Sequence, residues 1–109
     1  MKVMNLNALI STVKGTEQMI EFMHFPVDIG NSIVSVRERL EDTKESLLDE
    51  CRRTAKSDAE SAVVALKEVK TVTNRAFEVQ QISKANHMLI LGFADSLQAM
   101  IEGVLNDDD

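Results

Sequence analysis

Apolar residues recur along the chain at steps of three and four positions, which is the spacing of one face of an α-helix. Residues 31 to 91 contain no glycine and no proline, so nothing in this stretch interrupts a helix. As one unbroken helix, these 61 residues would extend to about 90 Å. As two or three helices folded back on each other, they would form the middle of a bundle. The pattern predicts an all-α protein in either case.

The first predicted helix runs from about Asn5 to His24, with Asn5 as a possible N-cap. Pro26 ends it, because the residue before a proline avoids helical geometry. Gly15 lies inside this helix and costs about 1 kcal/mol relative to alanine. We therefore expect either a soft spot or a close helix contact at Gly15. The apolar face of this helix consists of Leu6, Leu9, Ile10, Val13, Ile20 and Met23.

The second helix begins near residues 29–33, and two signals place its end at Lys56 and Ser57. A cluster of basic residues closes at Lys56, as is typical of a last helical turn. Residues 57–60 then read Ser-Asp-Ala-Glu, which fits a capping box. The absence of a glycine argues against a tight turn here.

From Leu48 onward the apolar positions keep one seven-residue phase, as the helices of a coiled coil or bundle require. This phase is interrupted by polar residues at Asp58 and at Ser83–Asn86, which predicts turns there, and Asn86 could form a left-handed C-cap. The earlier apolar phase is one residue out of step, so a slip occurs near residues 47–48. The last helix is predicted from about His87 to Leu105.

The predicted architecture is therefore an antiparallel bundle of about four helices in one domain, residues 1–105, with an acidic solvated tail at residues 106–109. The turns are predicted near Pro26, Ser57 and Ser83–Asn86. The alternative is a long central helix that forms a coiled-coil dimer, with the first helix folded back on it.

The two terminal helices carry more apolar side chains than one helix face can hold. Nine of these residues are predicted to fill the core or to contact a partner, and the two roles are given nearly equal weight. They are Phe22, Met23, Phe25, Met88, Leu91, Phe93, Leu97, Met100 and Ile101.

The net charge of −6 is concentrated at one end of the chain. Residues 1–84 carry 13 acidic and 12 basic residues, whereas residues 85–109 carry five acidic residues and no lysine or arginine. Nucleic acids and anionic membranes require basic surfaces, so neither is expected as a partner. A basic protein partner is compatible with this charge.

Candidate chemistry is sparse. Glu21 and His24 have the Glu-x-x-His spacing of di-iron bundles, but that site needs a second such pair and two further glutamates. The lone cysteine, Cys51, falls on the predicted apolar stripe and is expected to be a small buried hydrophobe. No metal, no cofactor and no small-molecule substrate are predicted. The purely apolar run at residues 88–91 is far too short for a membrane span.

These observations predict a non-enzymatic interaction protein, such as an adaptor, an assembly chaperone or a structural subunit. It would act through coiled-coil or bundle contacts of its terminal helices, with a helical protein partner or with itself as a homo-oligomer. The alternative is an acidic inhibitor or immunity-type protein that binds a basic protein surface. With no signal-peptide pattern after Met1, a cytoplasmic location is expected, although leaderless export fits equally.

Overall fold

Four antiparallel helices form the fold in the computed structural model, which describes residues 1–106. They are α1 (Val3–Phe22), α2 (Val27–Leu48), α3 (Arg52–Glu78) and α4 (Lys84–Leu105). Each helix packs against the next along the chain, and α4 returns to α1. The predicted all-α bundle is thus confirmed. The dimensions of 45 × 21 × 16 Å exclude the alternative of a central helix about 90 Å long.

The core is built from aliphatic side chains and alanine. Helices α2 and α3 share the most extensive contact, while α1 and α4 share the smallest. Alanines at the contact let helix axes approach closely. The buried apolar residues of α2 and α3 are Ile29, Ile33, Val36, Leu40, Ala55, Ala59, Ala62, Leu66, Val69 and Ala76.

All three turns between helices have the same backbone conformation. His24, Glu50 and Gln80 adopt left-handed conformations with φ of 57°, 60° and 63°. The next residue then donates its backbone N–H to a carbonyl five residues back, as in a Schellman motif. These N···O distances are 3.2 Å for residues 25 and 20, 2.8 Å for residues 51 and 46, and 2.8 Å for residues 81 and 76. Glycine is the usual residue at this position, and none of the three turns has it.

The second turn lies earlier than predicted. It occupies residues 49–51, whereas Ser57 lies within the second turn of α3. The capping-box pattern at residues 57–60 and the basic cluster before it are therefore part of one continuous helix. Cys51 precedes α3 and is exposed, so its predicted burial is wrong. The one-residue shift in the apolar pattern near residues 47–48 coincides with this turn, because α2 ends at Leu48.

Two capping predictions are also wrong. Helix α1 starts at Val3, so Asn5 lies in its first turn, and the N-cap Lys2 makes no side-chain capping bond. Helix α4 starts at Lys84, and its N-cap Ser83 accepts a hydrogen bond from the backbone N–H of Asn86 at 3.1 Å. Asn86 therefore belongs to the start of α4 and does not close the preceding helix.

Polar side chains connect neighbouring helices at three interfaces. Arg37 on α2 contacts Glu17 on α1 at 2.7 Å and Glu41 on its own helix at 2.8 Å. These two hydrogen bonds, that to Glu17 first, raise the pKa of Arg37 above its ordinary value. Because the folded-state pKa is raised, this contribution to stability is complete below the ordinary arginine pKa and is lost only at higher pH. Arg37 thus stays charged wherever the protein is folded.

The other two connections involve α3. Ser46 on α2 donates a hydrogen bond to Asp58 on α3 at 3.0 Å. Lys70 on α3 forms a salt bridge with Asp95 on α4. Near the start of α4, a His87 ring nitrogen lies 2.7 Å from Asn74 Oδ1, and the ring stacks on Phe77 with centroids 4.3 Å apart.

Candidate interaction surface on helices α1 and α4

Charge is distributed unevenly among the four helices. Helices α1 and α4 contain three charged residues each, whereas α2 contains eight and α3 contains ten. The outer sides of α2 and α3 are thus typical solvated helix faces. The side formed by α1 and α4 is different and can pack against apolar surfaces with little desolvation of charge.

An open apolar groove of about 420 Å³ runs between α1 and α4. Leu9 and Val104 are buried core residues at its base, and Met100 is 43% exposed beside it. The remaining lining residues are small or uncharged: Asn5, Ala8, Thr12 and Gly103. The groove therefore offers apolar surface with no charged side chain in its lining.

Two uncharged stripes lie on the exposed faces of these helices, one on each helix, and each contributes one residue to the groove lining, Ala8 and Gly103. Within each stripe the residues follow steps of four, three, four, three and four, so they share one helix face at heptad spacing. Every one of them is exposed. The α1 stripe is Met4, Ala8, Ser11, Gly15, Gln18 and Phe22. The α4 stripe is Ala85, Leu89, Gly92, Ser96, Ala99 and Gly103.

The glycines in these stripes have no packing role within the chain. A Cβ atom placed on Gly15, Gly92 or Gly103 would meet no other residue within 4 Å. Each glycine nevertheless costs the helix about 1 kcal/mol relative to alanine. Of the two expectations for Gly15, a close helix contact within the chain is therefore wrong. Another molecule could approach the helix backbone closely at these positions, because the glycines carry no side chain.

The nine predicted core or contact residues separate into two groups. Leu97 and Ile101 are fully buried, Phe25 and Phe93 are partly buried against the core, and Leu91 is half-buried. The other four are exposed: Phe22 by 84%, Met88 by 61%, Met100 by 43% and Met23 by 39%. Leu97 and Ile101 thus fill the core, whereas partner contact by the four exposed residues stays a prediction.

Sequence reasoning missed most of the two stripes, because alanine, serine and glycine resemble ordinary solvent-facing residues. Met4 and Leu89 were missed as well, although they are 76% and 45% exposed. The available signal was the shortage of charge in the first and last helices, which composition by segment would have revealed.

The described residues 1–106 contain no cluster of three or more histidine, cysteine, aspartate or glutamate side chains able to hold a metal ion. Glu21 and His24, the pair with Glu-x-x-His spacing, lie at the end of α1 and in the following turn, and both are exposed. The predicted acidic tail begins at the exposed Asn106, and its residues 107–109 lie outside the described part of the chain.

Helix α4 is long and apolar enough to cross a membrane, and within residues 1–106 only this helix meets those two criteria. A helix that packs in a soluble bundle can meet the same criteria. In the structure, five α4 side chains are buried against the other helices: Ile90, Ala94, Leu97, Ile101 and Val104.

Comparison of the chain with protein-family models, curated proteins and solved structures finds no match.

Proposed function

We propose that this chain is a non-enzymatic interaction protein whose α1 and α4 stripes pack against another helical surface. The observation that carries the proposal is the heptad spacing of two exposed, uncharged stripes on adjacent helices. Positions at heptad spacing let one helix pack against another when they carry apolar or small side chains, as all stripe positions except Gln18 do. Adaptors, assembly chaperones and structural subunits act through surfaces of this kind.

The distribution of exposed apolar side chains supports the same proposal. Five of the ten large hydrophobic residues that are exposed belong to α1 and α4: Met4, Phe22, Met88, Leu89 and Met100. Burial of one such side chain at an interface contributes about 1.5–3 kcal/mol. Methionine also adapts to irregular surfaces, because it is unbranched and polarizable.

The acidic inhibitor, which is the alternative function, has less support. Asp95 forms a salt bridge with Lys70, and Glu102 accepts a hydrogen bond from Gln98 at 3.1 Å. Both carboxylates therefore already have partners within the chain, and neither belongs to a row of free acidic groups on one face. A surface that imitates nucleic acid needs such a row.

Site-specific photocrosslinking in living cells tests the proposed surface. A photoreactive benzophenone amino acid replaces Ser96 in the α4 stripe or, as the matched control, Thr71 on α3. Both positions are exposed. We expect discrete protein adducts from position 96 and none from position 71. Equal labelling from both positions, or no adduct from position 96, would contradict the proposal.

A further inference from the structure

We infer that a second copy of this chain covers the α1 and α4 stripes, in a two-fold symmetric dimer. The inference rests on the proposed function and names its partner. In such a dimer both copies use the same surface, so each residue in the interface contacts residues that belong to that surface on the other copy. Charge, register and area are the three features that favour this occupant.

Charge is compatible with self-association. The twelve stripe residues include no acidic and no basic side chain, so two copies can approach without repulsion between like charges. Asp95 on α4 is held by Lys70 on α3, and Glu17 on α1 is held by Arg37 on α2. A strongly basic or acidic partner would find no charge in the stripes to pair with.

The two stripes match each other in length and direction. Each spans 18 residue steps, from 4 to 22 and from 85 to 103, which is about 27 Å of helix. Helices α1 and α4 are antiparallel, and Ala8 and Gly103 lie at the same level because both line the groove. A two-fold axis parallel to the helices would therefore place the α1 stripe of one copy on the α4 stripe of the other, antiparallel and at the same level.

In this register small residues face small residues in three of the five facing pairs. The facing positions are 8 with 103, 11 with 99, 15 with 96, 18 with 92 and 22 with 89. Gly15, Gly92 and Gly103 would let the helix backbones of the two copies approach closely. The open space next to their Cα atoms would then be filled by the other copy. At one end, Phe22 would pack on Leu89 and bury two of the large exposed side chains.

The available area suits a dimer better than a single docked helix. Two helices side by side, about 30 Å long and together about 22 Å wide, present roughly 650 Å² in outline. This outline is somewhat smaller than the area of about 800 Å² per partner that a stable interface of standard size buries. One helix lying in the groove would cover only about half of the outline.

Analytical ultracentrifugation of the full chain over a range of concentrations tests the inference. We expect the wild type to sediment with the mass of two 12.1 kDa chains at high concentration. The double variant Ser11→Glu/Ser96→Glu, which brings four carboxylates into the interface, should weaken the dimer at least about a hundredfold. The control variant Ser57→Glu/Thr71→Glu changes two exposed residues of α3 and should dimerise as the wild type does.

A monomeric wild type at all concentrations would overturn the dimer, as would equal weakening in both double variants. If the wild type is monomeric but sediments with phosphatidylcholine vesicles, the face belongs to a lipid surface and the inference is likewise wrong. Photocrosslinked adducts from position 96 that lack the mass of two chains would contradict the dimer alone, because the proposed function requires only that a protein covers this face.

Disulfide crosslinking tests the register on a Cys51→Ser background. Gly15→Cys and Ser96→Cys are made in separate chains, which are then mixed. The mixture should form disulfide-linked dimers faster than either variant alone, because positions 15 and 96 face each other only between copies. If Ser96→Cys alone crosslinked faster than the mixture, α4 of one copy would lie against α4 of the other, and this arrangement would be overturned.

Discussion

At the scale of single residues, the turns carry a cost that the chain could avoid. His24, Glu50 and Gln80 each hold a left-handed backbone conformation, and none is glycine. A side chain in this conformation costs about 1–2 kcal/mol. The hydrogen bonds that close each Schellman motif offset part of that cost.

Replacement of Gln80 by glycine should therefore stabilise the protein. We expect the free energy of unfolding to rise by about 0.5–1 kcal/mol. Glycine relieves the backbone strain, and its greater freedom in the unfolded chain cancels part of this gain. Urea denaturation measures this change. Gln80→Ala, which keeps the Cβ atom, serves as the control and should give no gain. A Gln80→Gly variant less stable than Gln80→Ala would show that the turn is unstrained.

The same residues explain why the second turn could not be located from the sequence. A glycine would have indicated the turn at residues 49–51, but Glu50 occupies the left-handed position. A chance capping-box pattern at residues 57–60 then drew the prediction seven residues too far along the chain. Pro26, in contrast, restricts the backbone by itself, and the first turn was predicted correctly.

At the scale of the elements, α3 depends on small residues along its buried face. Ala55, Ala59 and Ala62 are no more than 1% exposed and leave no room for longer side chains. We expect Ala62→Leu to lower the free energy of unfolding by about 1–3 kcal/mol, because the added atoms force the helices apart. Thermal and urea unfolding followed by circular dichroism would measure the loss.

Val64→Leu is the matched control for this prediction, because Val64 lies on the same helix and is 63% exposed. Its effect should stay within about 0.5 kcal/mol. If Ala62→Leu were equally harmless, α3 would not be packed against its neighbours as closely as the buried alanines indicate.

Helices were predictable because their inner faces repeat at three and four residues over several turns, as in Leu6, Leu9, Ile10 and Val13 of α1. The outer stripes obey the same spacing, but their small residues carry no hydrophobic signal. Ser11 on the α1 stripe and Ser57 on the charged side of α3 look alike in a sequence. The charge of the neighbouring positions distinguishes the two, and the fold shows that the uncharged positions around Ser11 form one exposed face.

At the scale of the whole molecule, we expect α2 and α3 to form the most stable unit and α1 and α4 to depend on it. The α2–α3 contact is the most extensive in the bundle, whereas α1 and α4 touch each other least. Amide hydrogen exchange should be slowest in α2 and α3, since exchange follows local stability. On dilution below the dimer dissociation constant, protection should fall in α1 and α4 and stay constant in α2 and α3. A uniform fall across all four helices would contradict this view.

If two copies meet through the α1 and α4 stripes, the uneven distribution of charge would also limit how far the protein can assemble. A molecule with adhesive surface on one side only exhausts that surface when two copies meet, and the pair then shows the solvent its charged helices α2 and α3 in every direction. Growth into fibres needs a second, unlike adhesive surface, which this arrangement does not supply. In the proposed dimer, the charged side formed by α2 and α3 would thus end the assembly at two copies.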